Sequence, residues 1–240
     1  MTVQIKPYKK NFEYGYSFGV FPTMELLENR PEDVIKIMVM EKGLENEGVQ
    51  KIIEKCRREG IAVEIADKAI NRISKKENNY TVGVFRKYTE HIVPGNHLVL
   101  VNPSDMGNMG TIIRTALGFK VQDLAIIRPG VDIFDPKVVR SSMGAIFKIR
   151  CEYFDSFEDY QDAFPENNIY TFMLNADYTL ADAKEIKSEP YSLVFGNEGS
   201  GLDESYFSGL GKSIKIEQSS LIDSLNLSIA VGIALYEFNR

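Results

Sequence analysis

Four short runs in the second half of the chain are apolar on both alternating sets of positions: HLVLV from His97, LAIIRP from Leu124, IYTFML from Ile169 and YSLVF from Tyr191. A strand with one wet face alternates polar and apolar residues, so runs like these have to be covered on both sides. Helical spacing fills the intervals, at Asn108 to Leu117, Asp135 to Ser142 and Phe157 to Ala163. Ala145 to Ile149 and Ser213 to Ile216 read as further extended segments. Strands and helices in this alternation predict an α/β fold with a parallel sheet and helices on both faces. Ligands of such sheets sit at the carboxyl ends of the strands.

The first half repeats the alternation on a smaller scale. A helix is expected from Ser17 to Asn29, a buried strand at Ile35 to Met40, and a helix through Val49, Ile52, Ile53 and Cys56 that stops at Gly60. A strand at Ile61 to Ile65, a short helix at Asp67 to Ile73 and a strand at Thr81 to Phe85 follow. The segment HIVPGNH then breaks all periodicity, because Pro94 and Gly95 stop strands and helices alike. Two domains are therefore expected, 1–93 and 94–240.

Charge separates them further. Residues 1–93 hold 16 of the 28 Lys and Arg but only 14 of the 34 Asp and Glu, so the acidic excess lies in the second half. The overall net charge of −6 argues against a chain that coats nucleic acid by bulk attraction. Small basic clusters remain in the first half, at Lys9 and Lys10, Arg57 and Arg58, Arg72 with Lys75 and Lys76, and Arg86 with Lys87. Tyr80, Phe85 and Tyr88 are interleaved with them, a mixture that can hold phosphates and stack bases or simply form solvated faces.

Several function classes drop out. Cys56 and Cys151 have no CxxC spacing, and His91 and His97 are the only histidines, so neither a metal site nor a Ser-His-Asp triad is expected. The first residues lack the apolar core of a signal peptide, and no run of about 18 apolar residues occurs. A cytoplasmic protein with no membrane segment is the expectation.

Three loops follow three of the strands. After HLVLV comes NPSDMGNMGTIIRTALGF, where Gly107 and Gly110 permit a tight turn, Asn108 is placed to cap a helix, and Arg114 lies within that helix. After YSLVF comes GNEGSGL, in which Gly196, Gly199 and Gly201 let backbone approach a ligand while Asn197 and Glu198 add polar contacts. Its glycine order is neither GxGxxG nor a Walker loop. The third loop enters SSLIDSLNLSIAVGIALYEFNR, where Asp223 and Ser224 suit the cap of a strongly apolar C-terminal helix. That helix is either an ordinary core helix or one wall of a crevice.

Together, in order and spacing, NPSDMGNMGTIIRTALGF, LVFGNEGSGL and IDSLNLSIAVGIALYE resemble the three signature motifs of the SpoU (TrmH-like) RNA ribose methyltransferases of the SPOUT superfamily. VVRSSMGAIFKI, from Val138 to Ile149, is similar to the family's SxGA stretch. The likeness covers residues 96–240, and residues 15–90 resemble the small RNA-binding domain that many members carry in front. The resemblance implies a C-terminal trefoil knot, a homodimer, S-adenosylmethionine as cofactor and methyl transfer to a ribose 2′-hydroxyl of tRNA or rRNA. By motif position it implies Asn108, Arg114, Glu198, Ser224 and Asn226 as catalytic residues. Gly196, Asn197, Gly199, Gly201, Ile216 and Leu225 would line the cofactor pocket.

One departure stands out. Where the family has IPM-x-G, this chain has Ile216, Glu217, Gln218, Ser219 and Ser220, which is expected to loosen the loop and bring an acid near the cofactor. The sequence leaves two other readings open: a catalytically silent RNA-binding protein that keeps the fold, and a generic nucleotide-binding α/β enzyme. The second lacks a phosphate-binding loop.

Overall fold

The structure, a computed structural model, describes residues 4–74, 79–206 and 210–240. Lys75 and Lys76 of the basic clusters lie outside the described residues. Two compact units emerge, Met1–Tyr88 with Asp132–Lys148, and Thr89–Val131 with Ile149–Arg240.

The first unit contains β1 (Tyr14–Phe18), α1 (Val20–Asn29), β2 (Val34–Val39), α2 (Glu47–Glu59), β3 (Val63–Ile65), α3 (Asp67–Ile73) and β4 (Thr81–Arg86). Its sheet runs β1-β4-β2-β3, with β4 antiparallel to both neighbours and β3 parallel to β2. The helix expected from Ser17 begins only at Val20. Tyr14, Tyr16 and Phe18 alternate with Gly15 and Ser17, a period of two that belongs to a strand. The small residues are needed there: a Cβ on Gly15 would stand 2.6 Å from the Phe85 ring. Asn46 caps α2, accepting from Gly48 and Val49 N–H, and Gly60 ends it at φ 70, the left-handed conformation a glycine supplies without strain.

The second unit holds β5 (His97–Val101), α4 (Met106–Gly118) and β6 (Asp123–Ile127). The chain then lends α5 (Pro136–Ser141) to the first unit. After that the second unit resumes with β7 (Arg150–Phe154), α6 (Phe157–Ala163), β8 (Asn168–Phe172), β9 (Tyr178–Thr179), α7 (Ala183–Ile186), β10 (Tyr191–Phe195), β11 (Lys212–Lys215) and α8 (Leu227–Phe238). Residues 145–149, expected to be extended, instead form a 3-10 turn at Ala145–Phe147 that follows left-handed Met143 and Gly144. Phe147 and Phe134 bury their rings against Phe85, and Ile146 carbonyl accepts from Tyr88, which explains why this stretch belongs to the first unit.

Seven strands form the second sheet in the order β7-β6-β5-β10-β8-β11-β9, every neighbouring pair parallel. Val99, Ala125, Ile169 and Val194 share one core cluster with Phe157 and Tyr160 of α6. The alternate residues Leu98, Leu100, Leu124, Ile126 and Leu193 are equally buried. Both faces are thus covered, as the apolar runs require. No helix among the described residues is long and apolar enough to cross a membrane.

His97 opens β5 fully buried. Its Nε2 lies 2.8 Å from Val93 carbonyl oxygen and its Nδ1 2.8 Å from the Tyr160 hydroxyl. A carbonyl only accepts, so Nε2 carries the proton. Burial pushes the imidazole below its ordinary value of 6.5. Below about pH 6.5 the unfolded chain therefore binds a proton that the folded chain refuses, and stability falls with pH by up to about 1.4 kcal/mol per unit. We expect denaturant unfolding between pH 7.5 and 5.5 to show this slope in the wild type and to lose that component in His97→Gln.

Candidate active site

The carboxyl ends of β5, β10 and β11 lead into the three loops, all within the second unit. After β5, Asn102 takes a left-handed φ of 51. Asp105, not Asn108, then caps α4, its Oδ1 accepting the Asn108 N–H at 2.7 Å. Gly107 and Gly110 lie inside the first turns of that helix rather than in a turn before it. With the cap supplied by Asp105, the Asn108 side chain is left for other partners.

After β10 the chain doubles back on itself. Asn197 and Gly201 exchange backbone hydrogen bonds of 3.2 and 2.9 Å. The Asn197 Oδ1 accepts from Gly199 and Ser200 N–H at 2.8 and 3.1 Å, while its Nδ2 donates to Asn102 carbonyl at 2.8 Å. One asparagine thus folds its own loop and ties it to the first.

Glu198 does the same with a charge. Its Oε2 accepts from Ser104 N–H at 2.9 Å and from Ser104 Oγ at 2.7 Å. Its Oε1 accepts from Asp105 N–H at 3.0 Å and from Asn108 Nδ2 at 3.4 Å. Burial works to raise this carboxyl, but the Ser104 and Asp105 donors together outweigh it and hold it below the ordinary carboxylate value. Glu198 is consequently an ionised acceptor whose oxygens are engaged, a poor proton acceptor for substrate and a good brace.

The third loop closes the circuit. Asn226, rather than Asp223 or Ser224, caps α8, its Oδ1 accepting from Ser228 N–H and Oγ at 2.9 and 2.7 Å. Its Nδ2 donates to Asn108 Oδ1 at 3.0 Å. Asn226, Asn108 and Glu198 therefore form one hydrogen-bonded line through all three loops.

Beside this line is a cavity of about 450 Å³, within the usual range for small-molecule sites. Gly196, Asn197, Glu198, Gly199, Gly201, Ile216, Ser224 and Leu225 border it, with the stacked rings of Phe172 and Phe195, 4.4 Å apart, among the other lining residues. Bare peptide groups at Gly199 and Gly201 and apolar side chains from Ile216 and Leu225 suit an amphipathic ligand with a flat heterocycle and polar substituents. Glu217, between the lining residues Ile216 and Gln218, borders a neighbouring hollow of about 760 Å³. Gln218 borders both, and its Nε2 donates to Asp223 carbonyl at 3.1 Å, a side-chain tie in a loop that lacks proline and glycine.

Arg114 is not part of this gathering. It is exposed on α4, borders neither cavity, and makes no hydrogen bond or ion pair to the other described residues. Ser104 and Asp105 are central to the brace, yet their types and spacing carry no distinctive sequence signal.

Comparison with known proteins bears on the same residues. Residues 95–236 match the SpoU rRNA Methylase family, and residues 16–85 match the RNA 2'-O ribose methyltransferase substrate binding family. The 23S rRNA (guanosine-2'-O-)-methyltransferase RlmB of Pectobacterium atrosepticum is 25% identical over 238 residues, which cover 93% of this chain and 96% of that protein. An uncharacterised tRNA/rRNA methyltransferase of Synechocystis is 32% identical over 143 residues, 60% of this chain and 52% of that one, so the match spans about half of that relative's length. Among solved structures, the AdoMet-bound rRNA methyltransferase of Sinorhizobium meliloti superimposes with a TM-score of 0.79 at 26% identity, covering 95% of this chain and 87% of that one.

Proposed function

The chain belongs to the SpoU rRNA methylase family, and from that premise we propose that it transfers a methyl group from S-adenosylmethionine to a ribose 2′-hydroxyl of tRNA or rRNA. The observation that carries this reading is the line from Asn226 through Asn108 to Glu198, which joins three sequence-distant loops beside one cavity of suitable size. S-adenosylmethionine, when bound, supplies a methyl group already activated by its sulfonium. The protein's tasks are then to align the hydroxyl and to stabilise the charge that develops on its oxygen. Alignment alone is worth roughly 7–11 kcal/mol of a barrier.

Gly196 to Gly201, Ile216 and Leu225 would hold the cofactor. Asn226 and Ser224, at the entry to α8, would orient the reacting ribose, and Glu198 keeps Asn108 in place behind them. The first unit would present the RNA, consistent with its match to a substrate-binding family and its clusters of Lys and Arg. The protein would act in the cytoplasm, with its C-terminal segment knotted.

We assign Arg114 to the developing alkoxide or to the adjacent phosphate. An exposed guanidinium without partners among the described residues is available for either. The test is methylation of RNA by the wild type and by Arg114→Lys, with the modified riboses mapped. Lysine cannot reproduce the fork of the guanidinium. We expect a loss of about 10²–10³ in kcat, with stability changed by less than about 0.5 kcal/mol because the position is exposed. Near-normal turnover would remove Arg114 from the chemistry, and a wild type that binds RNA without methylating it would mark a silent relative.

The chain would work as a homodimer. On α8, Val231, Ala234, Leu235 and Phe238 are buried, while Ile229 and Tyr236 are 54% and 56% exposed and Ile233 37%. Positions 229, 233 and 236 share one side of the helix, an apolar stripe suited to a second copy. Sedimentation at micromolar concentration should give two chains, and a monomer there would overturn the assignment.

A further inference from the structure

We propose that Ser104 is a positioning residue for the methyl transfer, setting the Glu198 carboxylate so that Asn108 meets Asn226; this rests on the function proposed above. The division of donors supports it. Oε1 of Glu198 is shared by Asp105 N–H and Asn108 Nδ2, whereas Oε2 receives both of its bonds from Ser104. Two of the four donors come with any backbone. Of the two side-chain donors, the Asn108 amide is the long one at 3.4 Å and the Ser104 hydroxyl the short one at 2.7 Å. A short bond from a hydroxyl to an ionised oxygen is the stronger kind. The carboxylate plane is thereby pinned from the Oε2 side, and the weak Asn108 contact on Oε1 depends on that plane.

The rest of the line inherits this placement. Asn108 has one amide: its nitrogen faces Glu198 and its oxygen accepts from Asn226. Rotation of Glu198 about its terminal bond would misplace both at once. Asn226 is also fixed by Ser228, so it cannot follow Asn108 without breaking the cap of α8. Ser104 itself is exposed, and its hydroxyl bonds to nothing else among the described residues, so its removal costs little packing. The effect of changing it should be read in the reaction rather than in the fold.

The experiment compares Ser104→Ala and Ser104→Thr with the wild type in three readouts. Steady-state methylation of RNA should show kcat lowered about tenfold in S104A, the size expected for one hydrogen bond to a charged group. The KM for RNA and for S-adenosylmethionine should stay within about twofold, since no uniform binding is lost. S104T, which keeps a hydroxyl, should recover most of kcat. Amide hydrogen exchange at Asp105 and Asn108 should quicken in S104A and not in S104T, a readout that does not depend on turnover. If the wild type neither binds S-adenosylmethionine nor methylates RNA, the proposed function fails, and exchange still reports whether Ser104 holds the brace. If the wild type is active and S104A matches it in kcat, or if alanine and threonine behave alike, the role assigned to Ser104 is overturned.

Discussion

Replacing Gly196 with alanine is expected to weaken S-adenosylmethionine binding by at least about 100-fold and to destabilise the second unit by about 1–3 kcal/mol, the usual cost of overpacking. A Cβ at this position would stand 2.1 Å from the Gly201 carbonyl carbon, 2.3 Å from its oxygen and 2.3 Å from Leu202 N. All three are backbone atoms, so no side-chain rotation relieves the clash. The loop has to open, which breaks the paired bonds between Asn197 and Gly201 and moves the bare peptide wall of the cavity. Gly199→Ala is the matched control for stability. Among the described residues its Cβ would meet only Asn197 Oδ1, at 3.5 Å, an ordinary contact. Calorimetric titration of the cofactor and thermal melts of both variants check the expectation. Undiminished affinity in G196A would mean that this wall does not hold the cofactor.

The contrast between those two glycines shows what a linear reading supplies and what it lacks. Gly196, Gly199 and Gly201 look alike in sequence, and only the return of the chain onto itself distinguishes a position with no room from one with space. The parallel sheet was legible because β5, β6 and β10 are buried on both faces and their composition shows it. Ser17 and Phe18 end a strand rather than open the expected helix: Pro22 and the apolar run after it suit a helix, but the aromatic alternation from Tyr14 to Phe18 has the period of a strand. The helix caps shifted by two or three residues, to Asp105 and Asn226, since several neighbouring Ser, Asp and Asn side chains can cap equally well and tertiary partners decide among them. Asn108, Glu198 and Asn226 were named through resemblance, while their mutual bonds, across 90 and 118 residues of chain, follow from no local pattern. The segment around Arg140 and Gly144 reads as part of the second half by position but buries Ile146 and Phe147 in the first unit, because long-range packing and not order along the chain assigns it.

Glu198→Gln should lower kcat by about 10²–10³, the size seen when one preorganised polar contact is lost from such a site, while preserving the side chain's shape. The four donors explain why an isostere is not enough. A carboxylate accepts on both oxygens, so Ser104 and Asp105 can donate from either side. A glutamine turns one of those oxygens into a donor, which must then face an N–H. If the nitrogen takes the Oε1 place, it opposes Asp105 N–H and the Asn108 amide, and the line to Asn226 breaks directly. If it takes the Oε2 place, it opposes Ser104 N–H and the brace loosens from the other end. Either way the backbone donors of residues 104 and 105 lose a charged acceptor, a loss of about 1–2 kcal/mol at a half-exposed position. The pH dependence follows from the sign of the shift. Because the folded carboxyl titrates below its ordinary value, its contribution is complete above about pH 4.3 and is lost as pH falls through the folded-state value. The gap in unfolding free energy between wild type and E198Q should therefore be constant from pH 8 to 6 and should close in acid. A gap that persists unchanged in acid would mean that shape, and not charge, holds the three loops together.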